Sequence, residues 1–176
     1  MAETLTGKTL SLRLRRFSYR FAEQVLNSDL SLKNELESVL STPLDPAELS
    51  RPRFNKLLDE RFVAHGWRSQ PAVFDEADEL GAKMDFLKGR VGIEVGFGHA
   101  SFLGIDLLKF QVSSYSALDK IDVGVYVVTT AAFQKRMKNE FGPNWEGSLT
   151  FKKIAKYLPQ FKSAIQVPTY VLGIEF

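Results

Sequence analysis

The chain of 176 residues contains no cysteine and only two histidines, His65 and His99. The missing cysteine excludes a disulfide framework, a thiolate metal site and a cysteine nucleophile. It fits a reducing, intracellular compartment. No apolar run approaches the roughly 20 residues that a membrane span needs. The opening "MAETLTGKTLSLRLRRFSYRF" scatters basic residues without the apolar centre of a signal peptide. A cytoplasmic protein without membrane contact is expected.

The remaining composition is that of an ordinary globular protein: 44% hydrophobic, 25% charged, net charge +2. The length suits one domain over residues 1–176, with 1–24 as a candidate basic extension. Charge is unevenly spread. Lys8, Arg13, Arg15, Arg16 and Arg20 stand near the start. Lys135, Arg136, Lys138, Lys152, Lys153, Lys156 and Lys162 stand near the end. Acids gather between them, as in "DEADE" at 75–79. Two basic ends can cradle a polyanion, or form a solvated charged surface.

Periodicity predicts a loose strand or basic amphipathic segment over 3–15, and a helix over 19–40 broken at "NSD", 27–29. "DPAE", 45–48, reads as a helix start, Pro52 either limits that helix or begins a new one, and Gly66 reads as the stop after Phe54, Leu57, Leu58 and Phe62. Residues 67–82 read as a loop. Beyond them come a hairpin, a helix over 100–118, a β-branched strand over 120–130, helices over 131–141 and 149–158, and a last strand over 168–176. The order predicts an α/β fold with a central mixed sheet flanked by helices.

The hairpin "KMDFLKGRVGIEVGFGH", 83–99, carries the chemistry. Gly89-Arg90 suits a two-residue type II′ turn. That turn sets 88 opposite 91 and, by the same register, Asp85 opposite Glu94. Facing β-carbons in such pairs lie about 4.5–5.5 Å apart, and like charges there repel. Either one carboxyl keeps its proton or a cation sits between them. Two carboxylates with a backbone carbonyl and water form a hard-oxygen site suited to Mg²⁺ or Mn²⁺. Val91, Ile93, Val95 and Phe97 should face the core. Gly92, Glu94, Gly96 and Gly98 share the other face, which leaves bare backbone for a phosphodiester to approach. The alternative is a solvated edge whose glycines admit a packed helix or an aromatic ring.

"MDFLKGRVGIEVGFG" has the D-x8-E-x-(K/Q/E) form of the PD-(D/E)XK nuclease superfamily. "DFLKGRVGIEVGFGHASFLGIDL" followed by "DKIDVGVYVV" resembles the BglII/BstYI type of Type II restriction endonuclease more closely. "FNKLLDERFVAHGW", 54–67, and "VPTYVLGIEF" resemble that group's preceding helix and last strand. The resemblance implies a restriction-endonuclease-like core. It implies a homodimer hydrolysing phosphodiester bonds of duplex DNA at a short palindrome containing GATC, with Mg²⁺ as cofactor and a separately encoded methyltransferase. It implies that Asp85 and Glu94 bind the metal and that the Val95 carbonyl adds a ligand. The alternatives are a catalytically impaired DNA-binding homologue and a PD-(D/E)XK nuclease of DNA repair.

One position departs from the pattern. The third catalytic position, a long polar residue in the superfamily, is Gly96 here. His99, Lys83 and Lys88 are candidate substitutes, and Glu37 is a further candidate to approach the metal. By position, the resemblance implies that His99 and Ser101 contact DNA. Ser101 also suits the N-cap of the next helix. Asn144, in "FGPNWEGS", suits either an adenine edge or plain turn chemistry. Lys135, Lys138, Lys152, Lys153 and Lys156 are candidate phosphate contacts. Helices within 100–118 and 45–65 are candidates for the dimer interface.

Overall fold

The computed structural model describes residues 9–47, 49–74, 81–115 and 118–176. The expectations that rest on residues 1–8, on Glu48 and on the acidic run at 75–79 lie outside them. Among the described residues six strands form one sheet in the order β1-β6-β5-β4-β3-β2. They are β1 (Arg13–Tyr19), β2 (Arg68–Ser69), β3 (Phe86–Lys88), β4 (Val91–Val95), β5 (Val123–Thr129) and β6 (Thr169–Glu175). β4, β5 and β6 run parallel, and the other pairings are antiparallel. The helices are α1 (Ala22–Leu26), α2 (Leu30–Ser41), α3 (Arg51–Ala64), α4 (Leu103–Tyr115), α5 (Ala131–Arg136) and α6 (Phe151–Tyr157). This is the expected α/β architecture.

All seven residues of β5 are buried, as befits a parallel strand covered on both faces. On one face Ile93, Val125 and Leu172 pack with Leu40 of α2 and with Phe54, Leu58 and Phe62 of α3. On the other, Tyr126 and Val171 pack with Leu103, Leu107 and Phe110 of α4 and Ile154 of α6. An aromatic cluster ties α3 to the segment after β4. Phe54 stacks on Phe97 at 4.9 Å, and Trp145 meets both Phe97 and Phe133 edge-on. Trp145 therefore packs, and its indole N–H donates to the Leu49 carbonyl at 3.0 Å.

Local chemistry explains where the elements stop. The break at 27–29 is a 3-10 turn, and Asp29 caps α2 by accepting the Leu32 amide at 3.0 Å. The helix start expected at 45–48 is corrected. Asp45 caps only a turn, accepting the Ala47 amide at 2.9 Å. Helix α3 begins at Arg51 behind the N-cap Ser50. Pro52 lacks an N–H and suits only a first turn, so no helix runs through it from residue 46. Gly66 stops α3 with φ +79.

Among the described residues the first strand lies at 13–19 and overlaps only the end of the 3–15 segment, because β6 pairs with Arg13 through Tyr19. Strand β2, inside the expected loop, spans two residues and is too short to show alternation. The helix expected over 100–118 starts with a 3-10 turn at Ala100–Phe102. The helix expected over 131–141 becomes a π turn at Met137–Phe141.

Candidate active site

Hairpin β3–β4 has the expected register: Lys88 pairs with Val91, Leu87 with Gly92 and Phe86 with Ile93. Gly89 takes φ +55 at the first turn position, which a type II′ turn requires. The ladder ends at Phe86, and Asp85 continues it with its side chain. Asp85 Oδ2 accepts the Val95 amide at 2.7 Å, and Oδ1 accepts from Gln70 Nε2 at 3.0 Å. Its carbonyl accepts the Gln70 amide at 2.9 Å. The carboxylate is thus fixed against the end of β4, beside Glu94.

Glu94 is 2% exposed. Its Oε2 accepts from Lys109 Nζ of α4 at 2.7 Å. Its Oε1 is buried and receives no hydrogen bond. Lys109 also meets Asp106 Oδ1 at 3.0 Å and donates to the Lys83 carbonyl at 3.1 Å. Asp106 Oδ2 accepts from the Tyr126 hydroxyl at 2.8 Å. Glu94 and Asp106 therefore share the Lys109 ammonium, whose charge also acts on Asp85.

The electrostatics follow from that imbalance. Burial and the neighbouring Asp85 carboxylate push Glu94 up to about 8, against the pull of Lys109. Burial also raises Asp85, opposed by the Val95 amide and Gln70. Burial and Asp106 lift the Tyr126 phenol far above its ordinary range.

The bare glycine face is corrected. Gly92 is covered by Met84, whose Cε lies 3.0 Å from where a β-carbon would sit. Gly96 is covered by the ring of Tyr126, with Oη 2.7 Å from such a β-carbon. Tyr126 stands beside Glu94 in the parallel β4–β5 register, so its ring falls over the next residue but one. The open approach lies instead on the Asp85 side. A cleft of about 360 Å³ is lined there by Asn55, Lys56, Asp59, Gln70, Asp85 and Val95. Val95 is half-buried at its wall.

Several sequence candidates have other partners. Glu37 is held by Arg16 and by the Tyr170 hydroxyl, the latter at 2.8 Å. Lys88 binds Glu35 at 2.7 Å and the His65 carbonyl. Neither is among the contacts of the Asp85–Glu94 centre. His99, not Ser101, caps the turn at Ala100–Phe102, with Nδ1 accepting the Ser101 amide at 3.2 Å. Ser101 Oγ lies 3.0 Å from the same Nδ1. The 98–101 segment meets the 141–148 loop, for His99 bridges to Ser148 and Leu149 N–H donates to the Gly98 carbonyl. Asn144 closes an Asx turn by accepting the Glu146 amide at 2.8 Å and is exposed. Lys135, Lys152, Lys153 and Lys156 are exposed, and Lys138 pairs with Glu146.

The chain matches the family described as "Restriction endonuclease BglII/BglIII" over residues 14–174. It belongs to that family of Type II restriction endonucleases. Two solved structures share the fold. The crystal structure of restriction endonuclease BglII complexed with a DNA 16-mer aligns with a TM-score of 0.71 at 17% identity. That match covers 92% of this chain and 75% of the other. Free BglII aligns with a TM-score of 0.62 at 20% identity, covering 92% and 78%. No curated protein matches the sequence.

A divalent cation suits the donors present. Among the described residues no group of three or more His, Asp or Glu side chains is arranged around one point. Magnesium does not need such a group, because it keeps several waters and is held through one or two carboxylates. Asp85 and Glu94 supply those, and the unpartnered Glu94 Oε1 is a buried acceptor awaiting a positive partner. Lys109, Asp106, Tyr126 and Gln70 are the site residues that sequence reasoning missed. The available signal was "GIDLLKF": an Asp and a Lys three apart inside an otherwise apolar stretch.

Proposed function

We propose that this restriction endonuclease cuts duplex DNA with Mg²⁺, as a homodimer, at a short palindrome containing GATC. The observation that carries the metal dependence is the half-buried Asp85 beside the buried Glu94, whose Oε1 is left without a donor. Asp85 and Glu94 would hold the cation, with the Val95 carbonyl at the wall of the cleft as a third oxygen. The cation supplies polarisation of the scissile phosphate and a water of lowered pKa. The chain's own residues fix the rest. Val95 N–H and Gln70 orient Asp85, and the cleft beside α3 admits a phosphodiester.

Asn144, His99 and Ser101 lie on two adjoining loops and are proposed to reach the DNA. Lys152 and Lys153 are proposed to hold its phosphates. The GATC-containing site and the partner methyltransferase rest on the family alone. The homodimer rests on the two-fold symmetry of a palindrome and on an exposed apolar face. Phe102, Ile105 and Leu108 are each at least half exposed along the start of α4. Residues 1–176 are proposed to act as one domain.

The test is plasmid and oligonucleotide DNA incubated with the protein. Discrete fragments with Mg²⁺, absent with EDTA and in Glu94→Ala, are the expected result. Specific binding without cleavage in Mg²⁺ and Mn²⁺ replaces this proposal with a DNA-binding homologue that has lost catalysis.

A further inference from the structure

We propose that Lys109 of α4 supplies this site with the long polar side chain that position 96 lacks, held in place by Asp106 and Tyr126. This rests on the nuclease activity proposed above.

Three observations carry it. First, position 96 has no room for a side chain. A β-carbon there would lie 2.7 Å from Tyr126 Oη and 2.9 Å from Cζ. The ring cannot turn away freely, since its hydroxyl is tied to Asp106. Second, the same Asp106 that holds the ring also holds Lys109, at 3.0 Å. The group that closes position 96 and the group that positions the ammonium are one network. Third, the ammonium ends at the catalytic acid, 2.7 Å from Glu94 Oε2.

A salt bridge serving stability alone satisfies its own atoms, because a buried acceptor without a donor is costly. Here Glu94 Oε1 is left bare while its other oxygen takes Lys109. The arrangement is short of positive charge and suits a site awaiting a cation and a phosphate. The lysine side chain is 14% exposed, so it works in a medium where one donor counts heavily. Its task is charge and hydrogen bonding toward the reacting phosphate and water.

The experiment compares wild type, Lys109→Gln, Lys109→Met and Lys109→Arg, together with the relocation variant Lys109→Met/Tyr126→Ala/Gly96→Lys. Single-turnover cleavage in Mg²⁺, DNA binding in Ca²⁺ and Mn²⁺ titration of the DNA-free protein are measured for each. Lys109→Met leaves Glu94 and Asp106 without their cation, so Lys109→Gln, which keeps a donor, guards against loss of the fold. For both, cleavage is expected to fall about 10²–10³-fold, the cost of one preorganised donor. DNA affinity should hold within about twofold, and Mn²⁺ should bind several-fold tighter, because a competing charge has left Glu94. Lys109→Arg should recover part of the rate, and the relocation variant should cleave at least about tenfold faster than Lys109→Met.

Folded Lys109→Gln protein that cleaves within twofold of wild type overturns the inference and leaves the nuclease activity standing. So does Mn²⁺ affinity unchanged by both substitutions. Wild-type protein that leaves DNA uncut in Mg²⁺ and Mn²⁺ overturns the nuclease activity and this inference together.

Discussion

The ring of Tyr126 occupies the space that a side chain at Gly96 would need, and its hydroxyl donates to Asp106 at 2.8 Å. A glycine at the third motif position is therefore a packing requirement of this site.

Restoring a long side chain there should do harm. Gly96→Gln forces Tyr126 out of a packed position, and overpacking of this kind costs about 1–3 kcal/mol. Thermal unfolding should show a lowered Tm, and cleavage should fall. Adding Tyr126→Ala should relieve the clash and return part of the lost stability. If Gly96→Gln alone keeps the wild-type Tm, the ring does not hold that space.

The metal-free protein should lose stability as pH rises. Folded Glu94 keeps its proton up to about 8, whereas an unperturbed glutamate loses it near 4.5. The folded state binds that proton more tightly. Its contribution is complete below about 4.5 and is lost as pH rises to and through about 8. The size is on the order of a few kcal/mol. Denaturant titrations between pH 5 and 9 should show this slope in wild type and not in Glu94→Gln. A divalent cation must displace the same proton, so Mn²⁺ affinity should rise by up to about tenfold per pH unit and level off above 8.

The exposed lysines of α6 should act on affinity and not on sequence choice. Lys152→Ala/Lys153→Ala should weaken specific and random duplexes alike. It should reduce the slope of log affinity against log salt by about 2, one unit per phosphate contact. Anisotropy titrations at several salt concentrations check this. An unchanged slope removes both lysines from the DNA surface.

The apolar start of α4 should matter for assembly. Ile105→Lys/Leu108→Asp places opposite charges on a face whose residues are 54% and 50% exposed. The fold should survive, since neither side chain belongs to the core, while sedimentation should shift from dimer to monomer. A variant that sediments as wild type directs the interface elsewhere, with α3 next in line.

The core should depend heavily on one ring. Phe54 is fully buried and packs with Phe97, Phe133 and Trp145. Phe54→Ala should cost about 3–5 kcal/mol in denaturant unfolding. Because Phe97 follows Gly96, Asp85 and Glu94 should also lose their alignment and cleavage should drop at temperatures below the Tm.

The hairpin was legible because its information is local. A glycine at the turn and a period of two are sufficient to set Phe86 against Ile93, which leaves the Asp85 carboxylate against the end of β4 and within electrostatic reach of Glu94. The break at 27–29, the stop at Gly66 and the buried strand β5 were legible for the same reason. The start of α3 was left open between two places, because Asp45 and Pro46 carry the signals of a helix N-terminus as clearly as Ser50 and Pro52 do. Only the chain's continuation decides between them.

The amino-acid sequence by itself determined the acids, their register and the empty third position. Tertiary structure alone decided what stands in that position. Lys109 reaches Glu94 from 15 residues away, by way of a helix laid across the sheet. Tyr126 reaches Gly96 because β4 and β5 run parallel and in register, a pairing that needs the whole crossover through α4. Local spacing encodes which residues neighbour one another along a strand or a helix turn. It holds no record of which side chain a distant helix brings against a buried carboxylate.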